Sequence, residues 1–272
     1  MKYLFNAWDK VKRKLKGRYL FLFLDYDGTL TPVVEKIDEA ILHPDMKNLL
    51  RELIALPKCR LAIISGRGLA DVKRIIGMEE LIYAGNHGLE IEGPKIKYKH
   101  PLPPGYKSLL LQIKNKLNAE TSSIKGVVVE DKGICIAFHY RLVDKHEVLL
   151  AKTIFRDVTL PYKKNKLIKI RSGKMILEIR PPVEWGKDRA VLWLLARQQF
   201  IAGELPVLPI YLGDDKTDED AFAVIRDKGI TIFVGEPTIS NADYYLKTSQ
   251  EVGKFLKLII RGPEINAGTN KS

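Results

Sequence analysis

The run Tyr19-Leu-Phe-Leu-Phe-Leu24, followed at once by Asp25-Tyr-Asp27-Gly28-Thr-Leu30, constrains this chain more than any other stretch. It is apolar without alternation, which predicts a strand covered on both faces, as in the middle of a parallel sheet packed between helices. The strand ends on Asp25, Asp27 lies just past its tip, and Gly28 supplies a sharp turn. Open α/β sheets bind ligands at the carboxyl ends of their strands. Residues two apart point the same way while the chain stays extended, so Asp25 and Asp27 offer two carboxylates to one site. Such a pair repels itself unless a cation or a shared proton intervenes. The tip therefore calls for a divalent metal, or for one carboxylate that attacks while the other carries a proton.

The pattern of elements extends this reading. Residues 19–85 predict strand 20–25, helix 44–55, strand 60–64, helix 68–76 and strand 81–84, a βαβαβ order that requires a parallel sheet. Residues 182–260 resume it with helix 187–201, strand 208–212, helix 217–226, strand 230–234 and helix 249–260. Between them, Pro101-Leu-Pro103-Pro104-Gly105 breaks the pattern. Helix 105–119, strands 126–131 and 134–140, helix 144–157 and strands 166–171 and 174–180 follow, with turns at Lys132-Gly133 and Ser172-Gly173. The expected fold class is α/β. Residues 1–101 and 182–272 form a Rossmann-like parallel-sheet core domain. Residues 102–181 form an inserted α+β cap, an antiparallel sheet covered by helices on one face.

Composition narrows the class. No apolar stretch approaches the 18 or so residues of a membrane span, and Trp8 and charges interrupt the first 18 residues where a signal peptide needs an apolar core. That segment reads as a short basic amphipathic helix covering one sheet edge. Cys59 and Cys135 both lie in apolar strand-like runs, as reduced packing residues of a cytoplasmic protein would. The formal net charge is +12, yet Lys and Arg are dispersed among Glu and Asp with no aromatic-rich basic block. The expectation is no nucleic-acid partner, no membrane partner, a monomer, and a few cations turned toward an anionic substrate.

Two more strand ends carry chemistry. Ile63-Ile-Ser65-Gly-Arg67 ends on a small hydroxyl. Ile210-Tyr-Leu-Gly213-Asp214-Asp215-Lys-Thr-Asp218-Glu219-Asp220 ends in an acidic cluster, and Lys187 opens a helical pattern between them. Asp, hydroxyl, Lys and acidic cluster in this order resemble the haloacid-dehalogenase superfamily of phosphotransferases. The segments DYDGTLTPVV, SGR, GNHGLE, FHYR, KMILEIRP and GDDKTDEDAF, spread over residues 25–222, further resemble the trehalose-6-phosphate phosphatase family. The resemblance implies a phosphatase that converts trehalose 6-phosphate, a small-molecule sugar phosphate, to trehalose and phosphate. Asp25 would be the nucleophile, forming an aspartyl-phosphate, and Asp27 the acid and then the base. Ser65 and Lys187 would hold the phosphoryl group. Mg2+ would be bound by Asp25, the main-chain carbonyl of Asp27 and Asp214, with Asp215 and Asp218 as alternative ligands or as carboxylates standing behind them. Alternatives within enzymes are a glycosyl-phosphoglycerate or sucrose-phosphate phosphatase, or a phosphomutase. From another class comes a catalytically idle binding or regulatory module.

Strand alternation sorts the cap residues. Met175, Leu177 and Ile179 share one face of strand 174–180, and Lys174, Glu178 and Arg180 the other. Ile134, Ile136, Phe138 and Tyr140 form an apolar face in strand 134–140, with His139 opposite and Arg141 after it. The resemblance implies that the Lys, Glu and Arg of this polar face contact the sugar, so Lys174, Glu178 and Arg141 are candidate substrate contacts, and His139 on the same face is another. The resemblance implies the same for His87 and Glu90 of GNHGLE, and Arg67 is a further anion contact.

Overall fold

A computed structural model describes residues 1–34, 39–173, 175–199 and 205–262. They form two compact units, Met1–Lys99 with the residues from Trp185 onward, and His100–Glu184. The chain begins with β1 (Lys2–Tyr3), α1 (Trp8–Leu15), β2 (Tyr19–Leu24), α2 (Pro44–Ala55), β3 (Cys59–Ile64), α3 (Leu69–Ile76), β4 (Ile82–Gly85), β5 (Glu90–Gly93) and β6 (Ile96–Lys99). The second unit holds α4 (Tyr106–Glu120), β7 (Val128–Asp131), β8 (Ile136–His139), α5 (Val148–Lys164), β9 (Lys169–Gly173) and β10 (Ile176–Arg180). The first unit then resumes with α6 (Lys187–Gln199), β11 (Val207–Gly213), α7 (Lys216–Ile225), β12 (Ile230–Val234), β13 (Tyr244–Leu246) and α8 (Ser249–Ile260).

One sheet organises the first unit, in the order β1-β13-β12-β11-β2-β3-β4-β5-β6. It is parallel from β1 through β4, and antiparallel at β5 and β6. The unbroken apolar run of β2 serves both faces. Leu20, Leu22 and Leu24 pack with Val11 of α1, Leu50 of α2, Val72 of α3 and Phe255 of α8. Phe21 and Phe23 pack with Val191 and Leu194 of α6 and Phe222 of α7. Each such side chain contributes roughly 1.5–3 kcal/mol of burial, so β2 and its neighbour β11 form a rigid base for the groups at their ends. The mixed α/β fold with a smaller antiparallel sheet agrees with the sequence expectation.

The second unit is a four-stranded antiparallel sheet, β7-β8-β10-β9. Ile136, Phe138, Tyr140, Leu177 and Ile179 pack into one core with Leu110, Ile113 and Leu117 of α4 and Ala151, Phe155 and Val158 of α5.

Several local expectations give way. The strands of the hairpin β5–β6 are four residues long and carry Glu and Lys, so periodicity does not mark them; cross-strand pairing of Glu90 with Lys99 compensates that charge. The amino-terminal segment meets the sheet edge as a strand rather than as a helix. Lys2–Tyr3 extends that edge by pairing with β13, while α1 buries Val11 and Leu15 in the core. Helix α5 starts later than 144 and runs through Pro161 to Lys164, because Val158 and Thr159 are buried and Tyr162 packs on the core beyond the expected stop. Strand β10 begins at Ile176, not 174. Met175 has a left-handed φ of 63° and is exposed, so it does not join Leu177 and Ile179. Lys174 lies outside the described residues.

Candidate active site

Asp25 stands at the end of β2, where its N–H still donates to Leu212 O of β11 (3.0 Å). The side chain is buried. Lys187, the first residue of α6, donates from Nζ to Asp25 Oδ1 and to Asp218 Oδ1, each at 2.7 Å. Asp218 Oδ1 also accepts from Tyr211 Oη (2.6 Å), and its Oδ2 accepts from the N–H groups of Asp214 and Asp215 (3.1 Å each). Asp218 thereby binds the loop after β11 to the lysine. Asp215 is the N-cap of α7, accepting from Thr217 N (2.8 Å), and Asp218 completes the capping box. The acidic run is therefore partly a helix start.

The three carboxylates left unranked by sequence now differ. Oxygens of Asp25, Asp214 and Asp218 lie within 4.8 Å of one another. Burial raises Asp25 well above the usual carboxylate range against the pull of Lys187, with Asp218 and Asp214 adding to the rise. Burial followed by the charges of Asp218 and Asp215 raises Asp214 to about 8. One lysine does not neutralise this group, so its oxygen donors fit a hard divalent cation. Two glycines make the crowding possible. Gly28 has φ +84°, and a Cβ there would sit 2.1 Å from Asp214 Oδ2; a Cβ on Gly213 would sit 2.2 Å from Asp218 Cγ.

Asp27 stands apart from the acidic group that Asp25 joins. Its carboxylate is 47% exposed, and Arg67 grips both its oxygens, Nε to Oδ2 at 2.8 Å and Nη2 to Oδ1 at 2.7 Å. Arg67, expected as an anion contact, also donates to Asp71 Oδ2 at 3.1 Å. Ser65 follows β3, is buried, and accepts from Arg67 N at its Oγ (3.1 Å). His87 is buried with a left-handed φ of 56°, and its N–H donates to Ser65 O (2.9 Å). Its ring fills the space a Cβ on Gly66 would take. Glu90 accepts from Asn86 Nδ2 (2.9 Å) and from Lys99 Nζ (2.6 Å), a structural pairing at the start of β5.

In the second unit Glu178 is buried, not solvated. Its Oε1 accepts from Lys132 Nζ (3.0 Å) and its Oε2 from Arg180 Nε. Burial opposes the charge of Lys132, but Glu178 and Glu130 raise its pKa. His139 Nε2 meets Glu130 Oε2 at 2.9 Å, and Arg141 follows β8, half-buried. Sequence reasoning missed Lys132 and Glu130, because Lys132 reads as an ordinary hairpin-turn residue. It also missed Tyr211, a lone hydroxyl in an apolar strand two residues before Gly213, which was the available signal.

A parallel sheet with acidic groups at the carboxyl ends of its adjacent central strands, and an antiparallel unit inserted in the chain, defines a haloacid-dehalogenase-like phosphotransferase. The trehalose-phosphatase family model matches residues 23–250, and the chain belongs to that family. It is 33% identical over 267 residues to trehalose-phosphate phosphatase B of Arabidopsis thaliana, covering 94% of this chain and 70% of the relative. It is 35% identical over 275 residues to probable trehalose-phosphate phosphatase 3 of Oryza sativa subsp. japonica, covering 94% and 73%. The fold matches the C-terminal domain of C. albicans trehalose-6-phosphate phosphatase with a TM-score of 0.79, covering 95% of this chain and 97% of that one at 24% identity. Among the described residues no helix is long and apolar enough to cross a membrane.

Proposed function

We propose that this chain is a Mg2+-dependent phosphatase that hydrolyses trehalose 6-phosphate to trehalose and phosphate through an aspartyl-phosphate on Asp25. The single observation that carries the mechanism is the buried carboxylate of Asp25, held by Lys187 at 2.7 Å beside Asp214 at a strand end. Family membership supports the substrate.

Asp25 attacks phosphorus in line, with Lys187 fixing its carboxylate and offsetting charge on the phosphoryl oxygens. Ser65 donates a hydrogen bond from its hydroxyl to a phosphoryl oxygen. Asp27 delivers a proton to the departing sugar oxygen, then takes one from the water that cleaves the aspartyl-phosphate. Asp25, Asp214 and the main-chain carbonyl of Asp27 would hold Mg2+, with Asp218 and Asp215 fixing the loop behind them. When bound, the ion neutralises charge between an anionic nucleophile and an anionic phosphoryl group. Within the second unit, Glu178 with Lys132 and Arg180, Glu130 with His139, and Arg141 supply donors and acceptors suited to sugar hydroxyls; within the first, His87 is a candidate sugar contact. The buried free thiols of Cys59 and Cys135 suit a reducing, cytoplasmic setting.

The test is phosphate release from a panel of sugar phosphates, with and without chelator. Trehalose 6-phosphate should be turned over fastest, activity should vanish with chelator, and Mg2+ should restore it. A faster sucrose phosphate or glycosyl-phosphoglycerate would overturn the substrate, and full activity without metal would overturn the mechanism.

A further inference from the structure

Arg67 is fixed on every side. It is 5% exposed, its guanidinium lies 5.3 Å over the buried Tyr26 ring, and its own N–H and C=O are tied to Ser65 Oγ and Asn86 N. Its fork takes both oxygens of Asp27, while Nη1 donates to Asp71 Oδ2. Asp71 is itself held from the far side by Arg74 Nη2 at 2.7 Å on Oδ1. Two-pronged guanidinium–carboxylate pairing sets the plane of the carboxylate as well as its distance.

We propose that Asp71 and Arg67 form a mount that sets the position of the Asp27 carboxylate, which makes Asp71, on α3, a positioning residue of the reaction. The inference rests on the acid–base reading of Asp27. In the first step an Asp25 carboxylate oxygen bonds to phosphorus as the bond from phosphorus to the bridging sugar oxygen breaks, and that oxygen takes the Asp27 carboxyl proton. In the second Asp27 takes a proton from water as the water oxygen bonds to phosphorus and the Asp25–phosphorus bond breaks. In each step one Asp27 oxygen must turn out of the fork. A guanidinium free to follow would drag the carboxylate or re-form the closed pair. Asp71 holds the guanidinium by its third edge, so one oxygen turns while the other stays anchored.

The test compares kcat/KM, which reports events through expulsion of the leaving group, for trehalose 6-phosphate and for p-nitrophenyl phosphate. The first has a poor leaving group and needs the proton; the second hardly does. Asp71→Ala should lower kcat/KM for the sugar phosphate roughly tenfold, within the reach of acid catalysis, and for the aryl phosphate less than twofold. Asp71→Asn, which keeps the shape and one acceptor, should fall between, and serves if the alanine variant does not fold. In an Asp27→Asn background Asp71→Ala should have no further effect on the substrate ratio, since it acts through Asp27. Equal losses on both substrates with a raised KM would make Arg67 a phosphate contact and overturn the mount. So would no loss on either substrate, or a loss that persists without the Asp27 carboxylate. If wild type hydrolyses the aryl phosphate but no sugar phosphate, the substrate reading falls alone. The mount is then tested across aryl phosphates of rising leaving-group pKa, where Asp71→Ala should steepen the dependence and an unchanged slope would overturn it.

Discussion

Lys187 in the first unit and Lys132 in the second are both buried ammonium groups held by carboxylates. Around Lys187 stand Asp25, Asp214, Asp215 and Asp218, and burial with mutual repulsion pushes Asp214 up to about 8 and Asp25 well up. Around Lys132 the charges are matched: Glu178 takes Lys132 and Arg180, and Glu130 meets His139. An acidic surplus around one lysine fits a cation, and with it the chemistry proposed on a phosphate. A matched cluster has little net pull on an ion. It offers oriented donors and acceptors, which suits a neutral, hydroxyl-bearing group. The same device, a buried lysine, thus stands among surplus acids in one unit and in a matched set of charges in the other.

The comparison breaks most sharply at Asp25. Asp25→Asn keeps the volume and removes the nucleophile, so kcat should fall by three orders of magnitude or more, about 4 kcal/mol of barrier. The aryl and sugar phosphates should suffer alike. Retention of a tenth of the wild-type rate on either would remove Asp25 from the chemistry.

Glu178→Ala should act on one substrate only. Losing a hydrogen bond to a charged group costs roughly 1.5–3 kcal/mol, so kcat/KM for trehalose 6-phosphate should drop about 10- to 150-fold. Hydrolysis of p-nitrophenyl phosphate should stay within a few-fold, since Asp25, Asp27, Ser65 and Lys187 are untouched. A matched loss on both would show that the second cluster supports the fold rather than the sugar. Unfolding midpoints measured beside the kinetics identify that outcome, because the change removes the carboxylate that accepts from the Lys132 ammonium.

The smallest effect sharpens the account of redundancy. Tyr211→Phe removes one of four donors to Asp218 and leaves Lys187 and two N–H groups in place. The cost should be near 1 kcal/mol, seen as a fall of about fivefold in kcat with both substrates. A loss as large as that of Asp25→Asn would mean that the phenol holds Lys187 in register by itself.

Much of the first unit was legible because its signals are local. β2 announces itself by an unbroken apolar run and β12 by one interrupted only at Thr231, and α2 and α8 lie at the bounds that periodicity and caps predict. Asp25, Ser65, Lys187 and Asp214 each follow or open such an element, so finding the element found the residue. The second cluster was harder. Glu130, Lys132, His139 and Glu178 come from three strands and a turn, and alternation alone does not say which polar side chain is buried.

The sequence by itself determined the parallel sheet, the antiparallel insertion and which strand ends carry acids and hydroxyls, because each follows from side-chain periodicity over a few residues. Only the tertiary structure decided how the charges are shared. Asp218 answers Lys187 and Tyr211, Asp215 caps a helix, Asp214 stands beside Asp25, and Asp27 turns to Arg67. Lys187 and Asp25 are 162 residues apart along the chain and 2.7 Å apart in space. Which carboxylate keeps its proton, and which can meet a metal, depends on burial and on neighbours of that kind, which no local pattern encodes.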